Sequence, residues 1–336
     1  VINTSTLRQN WKPILVLMVL SPLLAEVISG GTPVTQFFMP WILFPYVITL
    51  YGLQVLVIRE VATRSGFGLV GLWCLGAVYG LYNEALRAET LFHPHTSPID
   101  AFSTYGLVGD VRVPFTVWIL SWHGLFSVVM PILLVEYRFP AAAGRPWLSR
   151  KATWVLATLS VGTAIAYFLF LGEESGTQGG TKLVAHLAFT VVAAVILCVA
   201  AGKVSRTPRI VSNGGHDGST SWRLFTAGAV LYVVLFVVSE VLAELKVPWP
   251  LFVVYLTVLA TAVLWAVARR RATTRKDAVV LVLGSGTAQA VLGLLVGVLG
   301  GNILLAISDA MFIAVFVVTL ARMGRKPTAV PDARTT

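Results

Sequence analysis

An all-α, polytopic transmembrane bundle of about ten spans is predicted by three observations. The composition is apolar, stretches of membrane-crossing length recur along the chain, and the basic residues fall on one side. Of 336 residues, 57% are hydrophobic and 12% are charged, about half the ~25% charge of soluble domains. The mean hydropathy of +0.82 agrees. Too few charges remain to cover soluble surfaces, which excludes a soluble enzyme, a disordered chain and a single-anchor protein. The net charge of +10 sits on loops of one face, so it argues for the lipid bilayer as partner and against nucleic acid.

Taken in order, hydropathy gives spans at 13–29, 40–58, 68–87, 113–136, 153–172, 182–201, 224–243, 249–268, 278–299 and 303–321. Each carries roughly the 20 apolar residues that cross a hydrocarbon core. The first stretch reads as a span and not a signal peptide, because Glu26 and Val27 stand where small cleavage-site residues belong. Sorting Lys and Arg over alternate loops puts 21 of 25 on the side of the N-terminus. This is the positive-inside pattern, and it predicts both termini in the cytoplasm. The outer side receives only Arg87, Arg112, Lys182 and Lys246.

The predicted organisation is spans 1–6 over 1–202, with an outer loop at 88–112, and a cytoplasmic linker at 203–223. Spans 7–10 follow over 224–321, then a disordered tail over 322–336. The outer loop, with His93, Pro94, His95 and Tyr105, is too long for a simple turn and is expected to fold over the outer mouth. Five spans on either side of a midpoint would fit an inverted repeat, although the halves share no convincing self-similarity. Cys74 and Cys198 lie in spans without a CxxC partner, so neither a disulfide framework nor a zinc site is expected. His93 and His95 are the weak metal candidates.

Ionisable residues inside a membrane are costly and therefore mark function. Five are expected at similar depth in the outer half: Glu26, Glu84, His123, Glu240 and Asp309, with Gln289 nearer the centre. Their convergence would make one polar pocket. Glu173, Glu174 and Glu244 read as solvated headgroup-level acids. Trp73, Tyr79, Tyr82, Asn83, Trp118 and Trp122 flank Glu84 and His123 in sequence, and aromatic faces can shield a cation. Such a pocket suits acid-initiated cyclisation of a polyprenyl chain or the binding of a cation. No nucleotide fingerprint and no paired Asp-rich diphosphate motif is present, so terpenoid chemistry would start by protonation, without cofactor or metal. Ser285 in LVLGSGTAQ has no histidine partner in its own or the next span, which sets serine chemistry aside.

The segments SPLLAEVISGGTP (21–33), YGLQVLVIRE (51–60), LGAVYGLYNEAL (75–86), TLFHP (90–94), SWHGLFSVVMPILLVEYRFP (121–140) and PWLSR (146–150) resemble a group of poorly characterised bacterial multi-pass membrane proteins. Relatives often carry two acids where Asn83-Glu84 stands. In general character the chain is also similar to the membrane terpene cyclases of bacterial indole-sesquiterpenoid pathways. Glu84 with Arg87, and later His123 and His186, resemble the CAAX-type intramembrane proteases, with Asn83 in place of a second Glu and the Arg one residue early. These resemblances imply a bacterial plasma-membrane protein acting on a lipophilic small molecule. The leading expectation is a cyclase that protonates an alkene or epoxide, with Glu84 as acid, Asp309 or Glu26 next, and His123 or another carboxylate such as Glu240 taking the last proton. A proton- or cation-coupled transporter and a CAAX-type protease are the alternatives.

Overall fold

The computed structural model describes residues 4–92, 100–170, 180–204, 210–211, 218–268 and 273–324. The expected histidine pair His93/His95, the acids Glu173 and Glu174, most of the linker and the tail from Pro327 lie outside these residues.

The chain is a helical bundle. Helices α1 (Thr4–Pro22), α2 (Val34–Phe37), α3 (Pro40–Pro45), α4 (Gly52–Ser65) and α5 (Leu69–Leu81) come first. They are followed by α6 (Val113–Trp122), α7 (Met130–Arg138), α8 (Arg150–Phe170) and α9 (Gly180–Val204). The last five are α10 (Gly218–Tyr232), α11 (Val238–Glu244), α12 (Trp249–Ala268), α13 (Arg275–Leu299) and α14 (Ile303–Gly324). Two-residue strands β1 (Leu107–Val108) and β2 (Val111–Arg112) form an antiparallel hairpin in the outer loop. Strands β3 (Ile210–Val211) and β4 (Thr273–Thr274) pair in parallel.

Eight helical stretches among the described residues are long and apolar enough to cross a membrane. The other two expected spans are helical as α8 and α12, but neither is among the eight. The stretch Val113–Arg138 is the central one, with 78% of its apolar window buried, against 17% for Val184–Val204 and Ile303–Met323. The latter two present their sides to lipid.

Several spans are not uniform α-helix. Wider π-helical turns occupy Leu23–Val27, Tyr46–Leu50, Tyr82–Arg87, His123–Val129 and Val233–Val237. Proline accounts for three of them. Pro22 and Pro45 immediately precede a π turn, and Pro131 closely follows one. A proline supplies no N–H and frees the carbonyl four residues earlier. Pro131 frees the carbonyl of Ser127, and the Ser21 hydroxyl of α1 donates to it at 2.7 Å. The broken ladder is thus repaired by a neighbouring helix, as a lipid interior requires.

Helix α13 packs between α10 and α14. Gly228 and Gly284 meet so closely at the α10–α13 crossing that a Cβ on either would overlap the other helix's backbone, the close approach that small residues permit in membranes. Ser285 donates across this crossing to the Gly228 carbonyl at 2.8 Å. The serine in LVLGSGTAQ is therefore part of a packing motif.

At the ends that carry the basic residues, α4, α7 and the loop before α8 are tied by a buried ion network. Arg59 is 1% exposed. It donates to Glu60 at 2.7 Å and to Glu136 at 2.8 and 3.2 Å, and its guanidinium lies 3.7 Å from the Trp147 ring centroid. Glu60 also accepts from the backbone amides of Trp147 (2.7 Å) and Leu148 (3.3 Å) and from Arg64 (3.2 Å). Arg275 at the start of α13 approaches Glu136 at 3.4 Å. Removing one member of such a network leaves uncompensated buried charge. Arg59→Ala is expected to lower stability by about 3–5 kcal/mol, read as a drop in unfolding temperature in detergent, while Gly162→Ala on an open face of α8 leaves it unchanged or slightly raised.

Candidate functional site

Three of the five expected ionisable residues come together, and each lies in a π-helical turn. Glu26 is in Leu23–Val27, Glu84 in Tyr82–Arg87, and His123 opens His123–Val129. A π turn inserts a residue into the helical repeat and re-aims the side chains around it, which is why such turns gather at functional sites.

At the centre, Glu84 Oε1 lies 2.7 Å from His123 Nε2. Both residues are buried, at 8% and 2% exposed. Asn83 Nδ2 donates to the same oxygen at 2.9 Å, and the Thr90 hydroxyl donates to Oε2. His123 Nδ1 is 2.8 Å from the Ser127 hydroxyl, one helical turn on. The imidazole is thus held at both nitrogens and the carboxylate at both oxygens. Arg87 donates to Asn83 Oδ1 at 2.7 Å. Arg112, at the mouth, donates to the Thr90 carbonyl. Burial draws the Arg112 guanidinium below its usual value, and the Glu84 carboxylate partly restores it.

Glu26 forms a second carboxylate station. Tyr51 donates to its Oε1 at 2.5 Å and Thr32 to its Oε2 at 3.1 Å. The Tyr51 ring lies 6.2 Å from the His123 ring and 5.6 Å from Tyr79, and Tyr79 meets His123 edge-on at 5.4 Å. Tyr79 and Tyr82 stack at 6.0 Å. Tyr82 in turn donates to the Thr49 carbonyl at 3.1 Å and accepts from Gln54 at 3.0 Å. Trp73 packs against Gly124, beside His123.

Glu240 and Asp309 are not among these contacts. Both are near enough for their charges to act on the Tyr232 hydroxyl. Tyr232 donates to Gln289 Oε1, and Gln289 Nε2 donates at 2.9 Å to the carbonyl of Ile28, next to the Glu26 turn. Gln289 therefore ties Tyr232 to the backbone beside the Glu26 turn. Asp309 is fully buried against Gly293, and neither of its oxygens has a hydrogen-bond partner among the described residues.

Two expectations change. Trp118 and Trp122 do not wall the Glu84–His123 pair. They stack on each other at 5.7 Å and pack on Phe126 and Phe236 in the core between spans 4 and 7. Trp122 directly precedes His123, and consecutive side chains leave a helix about 100° apart, so the two point to different faces. His186 stacks on Phe92 at 3.8 Å and faces Asp110 at 3.7 Å, so it is not placed beside His123. The sequence reading missed Tyr51, Thr32, Thr90 and Ser127. Of these only Ser127, four residues after His123, had a readable signal. The outer loop packs down, with Phe102 and Tyr105 buried and the Tyr105 hydroxyl donating to the Val247 carbonyl at 2.6 Å.

A family profile described as "Uncharacterized membrane protein family" matches residues 15–325. The chain belongs to this family. An uncharacterized protein of Archaeoglobus fulgidus is 33% identical over 126 residues, which are 37% of this chain and 37% of the relative. The match thus spans little over a third of that relative's length. This relative is archaeal, so the family is not confined to bacteria as the sequence resemblance implied. No solved structure matches. The family description establishes an integral membrane protein and leaves the chemistry to the site.

The hydrogen-bond count gives the site a test. Glu84→Gln keeps the shape and most donors and acceptors, and is expected to hold the unfolding temperature within a few degrees. His123→Leu strands Glu84 in an apolar interior and is expected to cost about 2–5 kcal/mol. Thermal unfolding of both variants in the same detergent checks this order.

Proposed function

We propose that this family member is a membrane enzyme that moves protons on a lipophilic substrate, with Glu84 and His123 as its proton-accepting pair. The observation that carries the reading is the 2.7 Å Glu84–His123 contact inside the membrane-spanning region, with the imidazole oriented from its other nitrogen by Ser127. An imidazole oriented by a carboxylate can take a proton as a general base, while the carboxylate steadies the imidazolium that forms. Cyclisation of a prenylated compound is the concrete reaction that fits, because it needs one group to give a proton and another to take one. Both Glu84 oxygens already accept hydrogen bonds, which suits Glu84 to the accepting side. Asp309, with both oxygens unpartnered, is the better candidate for the donor. This reverses the order expected from sequence alone. Tyr79 and Tyr82 keep the aromatic role expected of them, and Tyr51 takes the place of Trp118 and Trp122. The proposed setting is the plasma membrane of a bacterium.

Transport of a proton or cation is the second reading. It is favoured by the Gln289 bridge, which ties Tyr232 of the second half to the backbone beside the Glu26 turn of the first.

The test is incubation of membranes containing the protein with a farnesylated indole and with its terminal epoxide, analysed by chromatography and mass spectrometry. A product of unchanged mass and shifted retention is expected. It should vanish with Asp309→Asn and fall by about 10²-fold or more with His123→Ala, the usual weight of a general acid or base. No product from well-folded protein, together with Glu84-dependent proton flux in liposomes, would replace the enzyme by the transporter.

A further inference from the structure

Away from the candidate site, a furrow of about 450 Å³ runs between α1, α7 and α14. Its walls are apolar, with Leu20 and Leu23 on one side, Leu134 on the second, and Met311 and Val315 on the third. From Ser308 to Arg322, both on its lining, it follows α14 for roughly 21 Å at 1.5 Å per residue. This exceeds the ~15 Å half-thickness of a hydrocarbon core.

The ends of the furrow differ. Arg138, the last residue of α7, and Arg322, in the last turn of α14, both line it. Both are exposed and belong to the basic set that marks the cytoplasmic face. The nearest acid in sequence, Glu136, is already engaged by Arg59 and Arg275. Toward the other end the lining is Val27, Val34 and Phe38, without charge. A slot with two guanidinium groups at the inner leaflet and an apolar length across the bilayer matches a molecule with an anionic head and a hydrocarbon tail. Guanidinium is suited to phosphate through paired N–H donors, and basic residues at this depth attract anionic lipid.

We propose that the furrow is a binding site for one anionic phospholipid of the cytoplasmic leaflet, its phosphate on Arg138 and Arg322 and one acyl chain along α14. The occupant is a lipid of the surrounding bilayer. The site does not depend on the reading of Glu84 and His123. Its far end contacts Leu23, Leu24 and Val27, so the bound chain supports the same π turn that carries Glu26.

The experiment is native mass spectrometry of the purified full chain in detergent, with phosphatidylglycerol and phosphatidylcholine of identical chains at equal concentration. One retained phosphatidylglycerol per chain is expected, preferred over phosphatidylcholine by about tenfold or more. The double variant Arg138→Gln, Arg322→Gln should lose this preference and still unfold at the wild-type temperature. Val315→Trp, which fills the furrow from its lipid-facing wall, should lower retention of both lipids. Equal retention of the two lipids by the wild type overturns the proposal. So does a preference that survives the double variant, or retention that is indifferent to Val315→Trp.

Discussion

A carboxylate within a membrane-spanning bundle must find donors in the protein, because lipid offers none. The first half of the chain is arranged around this demand. Glu84 receives His123 from span 4, Asn83 from its own turn and Thr90 from the start of the outer loop. Those three donors fix where span 3 ends, how span 4 is rotated, and how the loop re-enters. The π turns at Tyr82–Arg87 and His123–Val129 supply the rotation. An unbroken α-helix would set the two side chains at different angles around their axes. The irregularity costs backbone hydrogen bonds, and neighbouring side chains such as Ser21 restore some of them.

The same helices solve the problem a second time at their opposite, basic ends. Tyr51 of the outer cluster and Arg59 of the inner network are eight residues apart, on the order of 12 Å along the helix. His123 and Glu136 are thirteen apart, on the order of 20 Å. Apolar packing lies between, as with Val55, Phe126 and Leu133, all at 0% exposed. At the centre of the inner network every guanidinium nitrogen of Arg59 has a partner. Arg59 is therefore a clamp, and its satisfied geometry keeps the outer pair in register. The two clusters differ in chemistry as well. The inner one balances charge with charge, whereas the outer one places an imidazole, which can give or take a proton, against a carboxylate.

Most of the architecture was legible because the membrane imposes it one span at a time. Apolar length and the one-sided Lys and Arg set gave the helices and their order with no knowledge of packing. The meeting of Glu26, Glu84 and His123 was legible for a related reason, in that similar depth narrows where polar residues can go. Rotation about each helix axis was not legible. Trp118 and Trp122 are near His123 in sequence but face Phe236, because only tertiary packing decides which side of span 4 looks at which neighbour. Tyr51 was invisible as a ligand of Glu26 since a tyrosine in an apolar stretch has the same signature whether it bonds a carboxylate or sits in an interfacial belt. Arg59 and Glu60 read as ordinary loop-end charges, and nothing local showed that the loop containing Trp147 would close over them.

The two halves end up unequal in a way that bears on mechanism. Glu84 and Glu26 are satisfied on both oxygens, whereas Asp309 is satisfied on neither. An unsatisfied buried carboxyl is expensive, and this one packs its carboxyl group against Gly293 of α13. Gln289 has its donor and acceptor both in use, on the Ile28 carbonyl beside the Glu26 turn and on Tyr232, and supplies Asp309 no partner. The structure thus combines a hydrogen-bonded carboxylate–imidazole pair in the first half with a buried carboxyl lacking hydrogen-bond partners among the described residues in the second. That asymmetry, more than the aromatic content that first suggested cation chemistry, supports a role in moving protons.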